Sequence, residues 1–275
     1  MTQKIWLEYA RNQDGNLVHV EDSRRGLSGG LLCPFCGAEV MARQGAEKSW
    51  HFAHRAEESC APARKMSKIV IPLYDDFFLG LKPRRLAELI EFASTGSMAD
   101  SRMQRRMEAA DLIAWNPYAR NGRGVWELTK RGKIPLGALS VRLFSEIQDT
   151  ELRRFLDCLP ADGVDAEIVR EHWARLQANA LYFLKVEIPG LQLLHKIGMT
   201  GRSVEERVAE IRADLSADYG PVSVSVLGCW PGLGRLERYC KFRFRRSWHP
   251  LGTRTEYFSF TDAYVKPVLR ELRRL

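Results

Sequence analysis

LLHKIGMTGRSVEERVAEI, residues 193–211, decides how the fold is read. Its first half is an apolar run that ends in His195 and Lys196 and then passes Gly198 and Gly201. Its second half changes period, because Val204, Val208 and Ile211 fall on one face of a helix. Ser203 and Glu206 have the S-x-x-E spacing of a capping box, in which each side chain satisfies the other's backbone amide. The stretch therefore predicts a strand, a glycine-rich turn and a capped helix, with Arg207 beside the core-facing stripe. Upstream, LYFLKVEI and LQLLHKIGM are separated by Pro189-Gly190 and read as a β-hairpin. Downstream come a helix from about Val204 to Asp214, a strand in SVSVLGCW, a helix from about Leu233 to Phe244, and the closing segment TEYFSF.

Distinctive polar residues fall on these elements. Tyr182 lies in the first strand and Lys196 near the end of the second, so the hairpin brings them close. Gly198 lets the backbone approach a ligand. The helix LGRLERYCKFRF buries Leu233, Leu236, Cys240 and Phe244, and Glu237 falls on the same face. A carboxylate on a buried stripe is costly unless it is paired or holds a metal. One reading is an internal Arg207–Glu237 ion pair that fastens two helices.

The order of these residues resembles the GIY-YIG nuclease superfamily, in the branch whose second motif reads KIGMT. LYFL stands for GIY, with Tyr182 at the tyrosine position and no glycine before it. KIG stands for YIG, with Lys196 in place of tyrosine. Arg207, the Leu236-Glu237 pair and TEYF follow in the family's order, over about Leu181 to Phe260. The resemblance implies an α/β domain that hydrolyses phosphodiesters with one Mg²⁺ or Mn²⁺. Glu237 would hold the ion, and Arg207 would neutralise charge on the scissile phosphate. Tyr182 would orient or deprotonate water, and Lys196 would contact phosphate or lower the tyrosine pKa. His195 is a secondary proton carrier, placed opposite Lys196 if the strand is regular. Arg254, Glu256 and Tyr257 are expected to close the site, without assigned roles. Lys196 in place of tyrosine leaves the identity of the base open.

A second constellation lies near the N-terminus, in CPFCGAEVMARQGAEKSWHFAHRAEESC. A C-x2-C knuckle presents two sulfurs to one zinc ion, and a second pair arriving from a hairpin completes the tetrahedron. Cys33, Cys36, His51 and His54 are the expected ligands, and Cys60 can replace one histidine. Four coordinated positions would make the site structural, since catalytic zinc keeps one position for water. This region resembles the N-terminal zinc ribbon of competence-protein-like (CoiA-type) families, through CPxC, Arg43 and HFAH. That likeness implies a nucleic-acid context. Cys158, Cys229 and Cys240 read as small buried hydrophobes.

Between the two lies a stretch with helical periodicity, as in RRLAELIEFAS and REHWARLQANA. Within SMADSRMQRRMEAADLIAW, Met103, Met107 and Ala110 make one stripe and Arg102, Arg105 and Arg106 another face, with Ser97 or Asp100 as the cap. Two short strands flanking an Asn-Gly-Arg-rich turn follow. Helix, helix and hairpin is similar to a winged helix-turn-helix. Arg120 and Arg123 at the tip, with Lys130, Arg131 and Lys133 beyond, would meet phosphates. A solvated helical connector is the competing reading.

The expectation is an α+β multidomain chain: a small β-rich zinc ribbon over 1–65, a helical, winged-helix-like DNA-binding middle over 66–180, and a GIY-YIG-like domain over 181–275. Hydrophobic content of 45% with 28% charged residues excludes a disordered chain. The net charge of +8 favours a polyanionic partner. DNA is the expected partner, and RNA is compatible. Neither a bilayer-spanning run nor a signal-peptide core is evident, so a cytoplasmic location without membrane association is expected. The expected function is a metal-dependent DNA endonuclease, acting against foreign DNA or in mobile-element biology. The alternatives are a non-cleaving, zinc-containing nucleic-acid-binding regulator with a decayed nuclease domain, and a scaffold that docks an acidic protein. Tyr182, Arg207 and Glu237 together argue against decay.

Overall fold

A computed structural model describes residues 7–23, 30–45, 50–55, 60, 70–97, 100–119 and 123–275 of the chain. Arg120 lies outside the described residues. Four short strands come first: β1 (Tyr9–Arg11), β2 (Leu17–His19), β3 (Val40–Arg43) and β4 (His51–His54). Then follow α1 (Pro83–Thr95), α2 (Ser101–Ala109), β5 (Ile113–Asn116), β6 (Val125–Leu128), α3 (Lys130–Lys133), α4 (Val141–Asp157) and α5 (Val164–Ala178). The last part holds β7 (Ala180–Glu187), β8 (Leu194–Thr200), α6 (Val204–Tyr219), β9 (Ser223–Trp230), α7 (Glu237–Arg243), β10 (Tyr257–Phe258) and α8 (Asp262–Leu272). The architecture is mixed α/β, with small hairpins near the N-terminus. No helix among the described residues is long and apolar enough to cross a membrane.

The chain divides into two compact units, Met1–Val70 with Cys158–Ala174, and Ile71–Asp157 with Arg175–Leu275. In the first, β1 and β2 pair antiparallel around a turn in which Gly15 takes φ +82°. Asn12 Oδ1 accepts from the amides of Asp14 and Asn16 at 3.1 and 2.9 Å, an Asx arrangement that suits asparagine at a turn. β3 and β4 form the second hairpin, and Ala10, Val20, Val40, Ala42 and Phe52 pack into a small core. The first part of α5 belongs to this unit. Glu167 accepts from Arg11 Nη1 at 2.8 Å, and Tyr9 Oη lies 3.0 Å from His172 Nδ1.

The second unit is built on a four-stranded antiparallel sheet of order β10-β8-β7-β9. Its two faces follow the two-residue alternation of a strand. Leu181, Phe183, Ile197 and Phe258 pack with Val141 and Phe144 of α4, Tyr239 and Cys240 of α7, and Val268 and Leu272 of α8. Tyr182, Leu184, Val186, Leu194 and Tyr257 face the other way, onto Val208, Ile211 and Leu215 of α6. Each fully buried Leu, Ile or Phe side chain contributes ~1.5–3 kcal/mol, so covering both faces is what makes the sheet stable. For the same reason the middle stretch is not set apart. Ile134 and Leu139 join α4 in the core under β7, while residues 158–174 belong to the first unit.

The helix–helix–hairpin order expected in the middle is present. Leu89 and Phe92 of α1, Met107 of α2, Leu112 and Ile113 form its core. Asp100 is the cap of α2, its carboxylate accepting from Arg102 N at 2.8 Å. Helix α8 had no counterpart in the sequence reading. It carries Pro267 in its interior, a residue that normally breaks a helix at a cost of ~3 kcal/mol. Burial of Val268 and Leu272 and the Arg243–Glu271 pair at 2.8 Å offset that cost. The isolated cysteines also depart from expectation. Cys240 is buried, but Cys229 is exposed on β9, an edge strand, and Cys158 is exposed just beyond α4.

Candidate functional site

In the first unit the sequence CPFCG folds into a tight knuckle. Cys33 N donates to Ala38 O at 2.8 Å and Gly37 N to Cys33 O at 2.9 Å, with Gly37 at φ +72°. Burial pushes the Cys33 thiol up to about 12, although the Phe35 and Cys36 amides pull the other way; burial also works against the Cys36 thiolate, but the Ala38 amide and the neighbouring cysteines more than offset it. The β3–β4 hairpin then delivers His54, and Cys60 follows it.

One ligand atom from each of Cys33, Cys36, His54 and Cys60 lies within 4.8 Å of the others. Cys33 Sγ and Cys60 Sγ are 3.9 Å apart, and Cys36 Sγ and His54 Nε2 3.3 Å. A disulfide needs roughly 2.05 Å between sulfurs. Zn–S bonds of about 2.3 Å at tetrahedral angles place sulfurs about 3.8 Å apart. The group therefore fits zinc, with three thiolates and one imidazole.

His51 is the correction here. It was expected as a ligand, but the fourth position belongs to Cys60. His51 and His54 are three residues apart on a strand, and an odd spacing puts their side chains on opposite faces. His51 is buried beside Arg43 in the β3–β4 register.

In the second unit a polar cluster gathers around β7 and β8. Tyr182 pairs with Gly198 across the strands and lies over it, so that a Cβ at 198 would stand 2.2 Å from the tyrosine hydroxyl oxygen. The glycine is thus a seat for the Tyr182 ring. Lys196 is only 4% exposed, on the same face, beneath the Tyr257 ring with 5.0 Å from Nζ to its centroid. α6 supplies Arg207, which donates to Glu210 Oε2 at 2.8 Å and lies close enough to the Tyr182 hydroxyl to pull its pKa down. The cap of α6 is as expected, Glu206 N donating to Ser203 Oγ at 3.1 Å. α7 supplies Glu237, 8% exposed, which accepts from Lys241 at 2.7 Å. Glu256, just before β10, accepts from Lys241 at 2.8 Å and from Lys196.

The electrostatics follow from burial against these partners. Burial pushes Tyr182 up to about 12, although Arg207 pulls the other way. Its hydroxyl is therefore neutral near pH 7. Burial also raises Glu237 against the pull of Lys241, and lowers Lys196 against the pull of Glu256. Glu256 goes down to about 2, because two ammonium groups outweigh its burial. Burial works against the charge of Arg207, but Glu210 and Tyr182 more than offset it.

Tyr182, Lys196, Arg207 and Glu237 are thus brought together, with Arg207 and Glu237 each within electrostatic range of both Tyr182 and Lys196. The Arg207–Glu237 ion pair is not the arrangement adopted, since Arg207 pairs with Glu210 and Glu237 with Lys241. His195 is not part of the cluster. It is 1% exposed on the opposite face, stacked on Phe183 with 5.4 Å between ring centroids. Arg254 turns to Asp218 at 2.6 Å. Glu210 and Lys241 were missed, though each stands at helical i,i+3 or i,i+4 spacing from a residue already singled out. Away from the cluster, Arg102, Arg105, Arg106, Arg123 and Lys130 are all exposed.

Residues 21–63 match the family model for the N-terminal domain of competence protein CoiA. The match covers all four residues of the Cys/His group. No curated protein and no solved structure matches the chain.

Proposed function

We propose that the chain is a metal-dependent DNA endonuclease whose catalytic residues lie on β7, β8, α6 and α7, in a GIY-YIG-like domain. The observation that carries this reading is the convergence of Tyr182, Lys196, Arg207 and Glu237 from four separate elements onto one polar cluster. A buried tyrosine, lysine and carboxylate, with a half-buried arginine beside them, are a costly set for stability alone. As a set they suit a phosphodiester, with donors for phosphate oxygens and an anionic ligand for a hard cation.

Glu237 is the carboxylate that would hold Mg²⁺ or Mn²⁺, ions that take oxygen ligands, and the Lys241 ammonium now 2.7 Å from it would have to give way. Such an ion would supply charge stabilisation at the leaving oxygen. Arg207, fixed by Glu210, donates to the non-bridging oxygens of the scissile phosphate. Lys196 adds a second positive contact from the sheet. Tyr182 is neutral near pH 7, so it serves by orienting the attacking water through its hydroxyl rather than as a preformed tyrosinate base.

The Cys33, Cys36, His54 and Cys60 group holds structural zinc in a ribbon related to the CoiA N-terminal domain. The exposed arginines of α2, with Arg123 at the β5–β6 hairpin and Lys130 at the start of α3 in a winged-helix-like arrangement, contact DNA phosphates. The decisive experiment incubates supercoiled plasmid with the protein in Mg²⁺ or Mn²⁺, beside an EDTA control and Arg207→Ala. Nicking that needs both metal and Arg207 is the expected result. Retained binding without cutting on plain, modified and branched DNA would instead mark a non-cleaving regulator.

A further inference from the structure

Glu256 stands outside the four residues from which the nuclease reading starts, yet it is tied to two cations of the cluster. One of its oxygens accepts from Lys196 and the other from Lys241 at 2.8 Å, and Lys241 reaches on to Glu237 at 2.7 Å. The resulting order, Lys196, Glu256, Lys241, Glu237, alternates in sign from β8 to α7. Lys196 has little other means of staying in place. It is 4% exposed, and the groups facing it are Tyr182 from β7, Tyr257 from β10, Arg207 from α6, and Glu237 and Lys241 from α7. Two of these are cations that repel it, two are tyrosines, and Glu237 bonds to Lys241 instead.

We infer that Glu256 is a positioning residue: it anchors the Lys196 ammonium in its charged form beside Tyr182 and couples it through Lys241 to Glu237. This rests on the nuclease reading for its catalytic meaning but not for its geometry. A buried ammonium without its carboxylate either loses its proton or leaves the site, since an uncompensated buried charge is strongly unfavourable. Lys196 replaces a neutral tyrosine in the motif it resembles, and Glu256 is the group that makes a cation tenable there. The sign is fixed. Burial lowers the Lys196 pKa and Glu256 raises it, so removing the carboxylate lowers it further. The charged form is present below that pKa and is lost as pH rises through it.

The test uses the full chain with its lysine ε-carbons labelled. Lys196 is titrated by NMR in wild type, Glu256→Gln and Glu256→Asp, with Lys196→Arg to assign the signal. The Lys196 midpoint is expected to fall in Glu256→Gln and to recover in part in Glu256→Asp. On plasmid substrate, kcat/KM should drop on the order of 10-fold, a common cost of losing a group that orients another, and the alkaline limb of the pH profile should move to lower pH. An unchanged Lys196 midpoint in a folded Glu256→Gln overturns the inference, whatever happens to cleavage. If Glu256→Gln does not fold, Glu256→Asp decides by the same midpoint, unchanged or lowered. A lowered midpoint with no cleavage of plain, modified or branched DNA by wild type supports the role of Glu256 while removing the nuclease reading.

Discussion

The Cys/His group of the first unit and the polar cluster of the second solve the same problem, holding reactive side chains close together, by opposite means. In the first, four ligand atoms lie within 4.8 Å of one another, a group that could hold a metal ion. In the second, the chain supplies its own cations, and every carboxylate among Glu210, Glu237 and Glu256 already has one. On the proposed reading the first unit would depend on a metal for its fold, whereas the charges of the second are paired without one. The lesson is that a buried polar set is informative according to what it leaves unneutralised.

The largest expected effect breaks this comparison directly. Zinc bound to a small ribbon contributes on the order of 10 kcal/mol of folding free energy. Chelation should therefore unfold the first unit, seen as lost amide protection over β1–β4, and leave protection of β7 and β8 in place. Equal loss in both units would show that the second depends on the metal as well. Single substitutions sharpen the point. Cys60→Ala should abolish stoichiometric zinc in metal analysis, whereas His51→Ala should retain it. Retention in both would return the fourth position to His51.

Next in size is the effect on cleavage. Arg207→Ala or Glu237→Ala should each lower plasmid cleavage by roughly 10²-fold or more, the scale for removing a group that stabilises transition-state charge. DNA affinity in a filter or anisotropy assay should change by only a few fold. Wild-type cleavage in both variants would detach the cluster from chemistry.

The two sites were not equally legible. C-x2-C declared the knuckle because a local loop fixes both sulfurs. The remaining ligands depended on where a hairpin pointed, and the face of His51 required knowing that 51–54 is a regular strand. In the second unit the order of the motifs placed Tyr182, Lys196, Arg207 and Glu237 on the right elements. The partners Glu210 and Lys241 stayed hidden, because helical spacing allows many pairs and only packing selects among them. Pro267 hid α8, since tertiary burial overrode local propensity. The join between the middle stretch and the sheet was hidden too, because no sequence period says which sheet face a helix covers.

Gly198 offers a smaller but sharper test. Gly198→Ala would put a methyl group 2.2 Å from the Tyr182 hydroxyl oxygen. Overpacking of this kind costs ~1–3 kcal/mol. The variant should fold with a lower melting temperature and lose cleavage beyond what its stability explains, because the displaced ring takes its hydroxyl away from Arg207. Gly198→Ala combined with Tyr182→Phe should recover part of the stability but none of the cleavage. Full activity in Gly198→Ala would mean that the seat of Tyr182 has no bearing on chemistry.

The smallest effect per residue concerns the surface, where neither site's logic applies. Arg102, Arg105 and Arg106 are exposed on α2, with neither a core to complete nor a metal to hold. If they meet DNA phosphates, each contact removed should reduce the slope of log affinity against log salt by about 0.9. Reversing all three should weaken binding most at low salt, where released counterions contribute most. The zinc content and the melting temperature should stay as in wild type, because these side chains are solvated in the free protein. An unchanged slope would make α2 a solvated face and shift the nucleic-acid contact to Arg123, Lys130 or the cluster itself. That outcome would leave the catalytic reading standing and remove only the division of labour between cutting and holding.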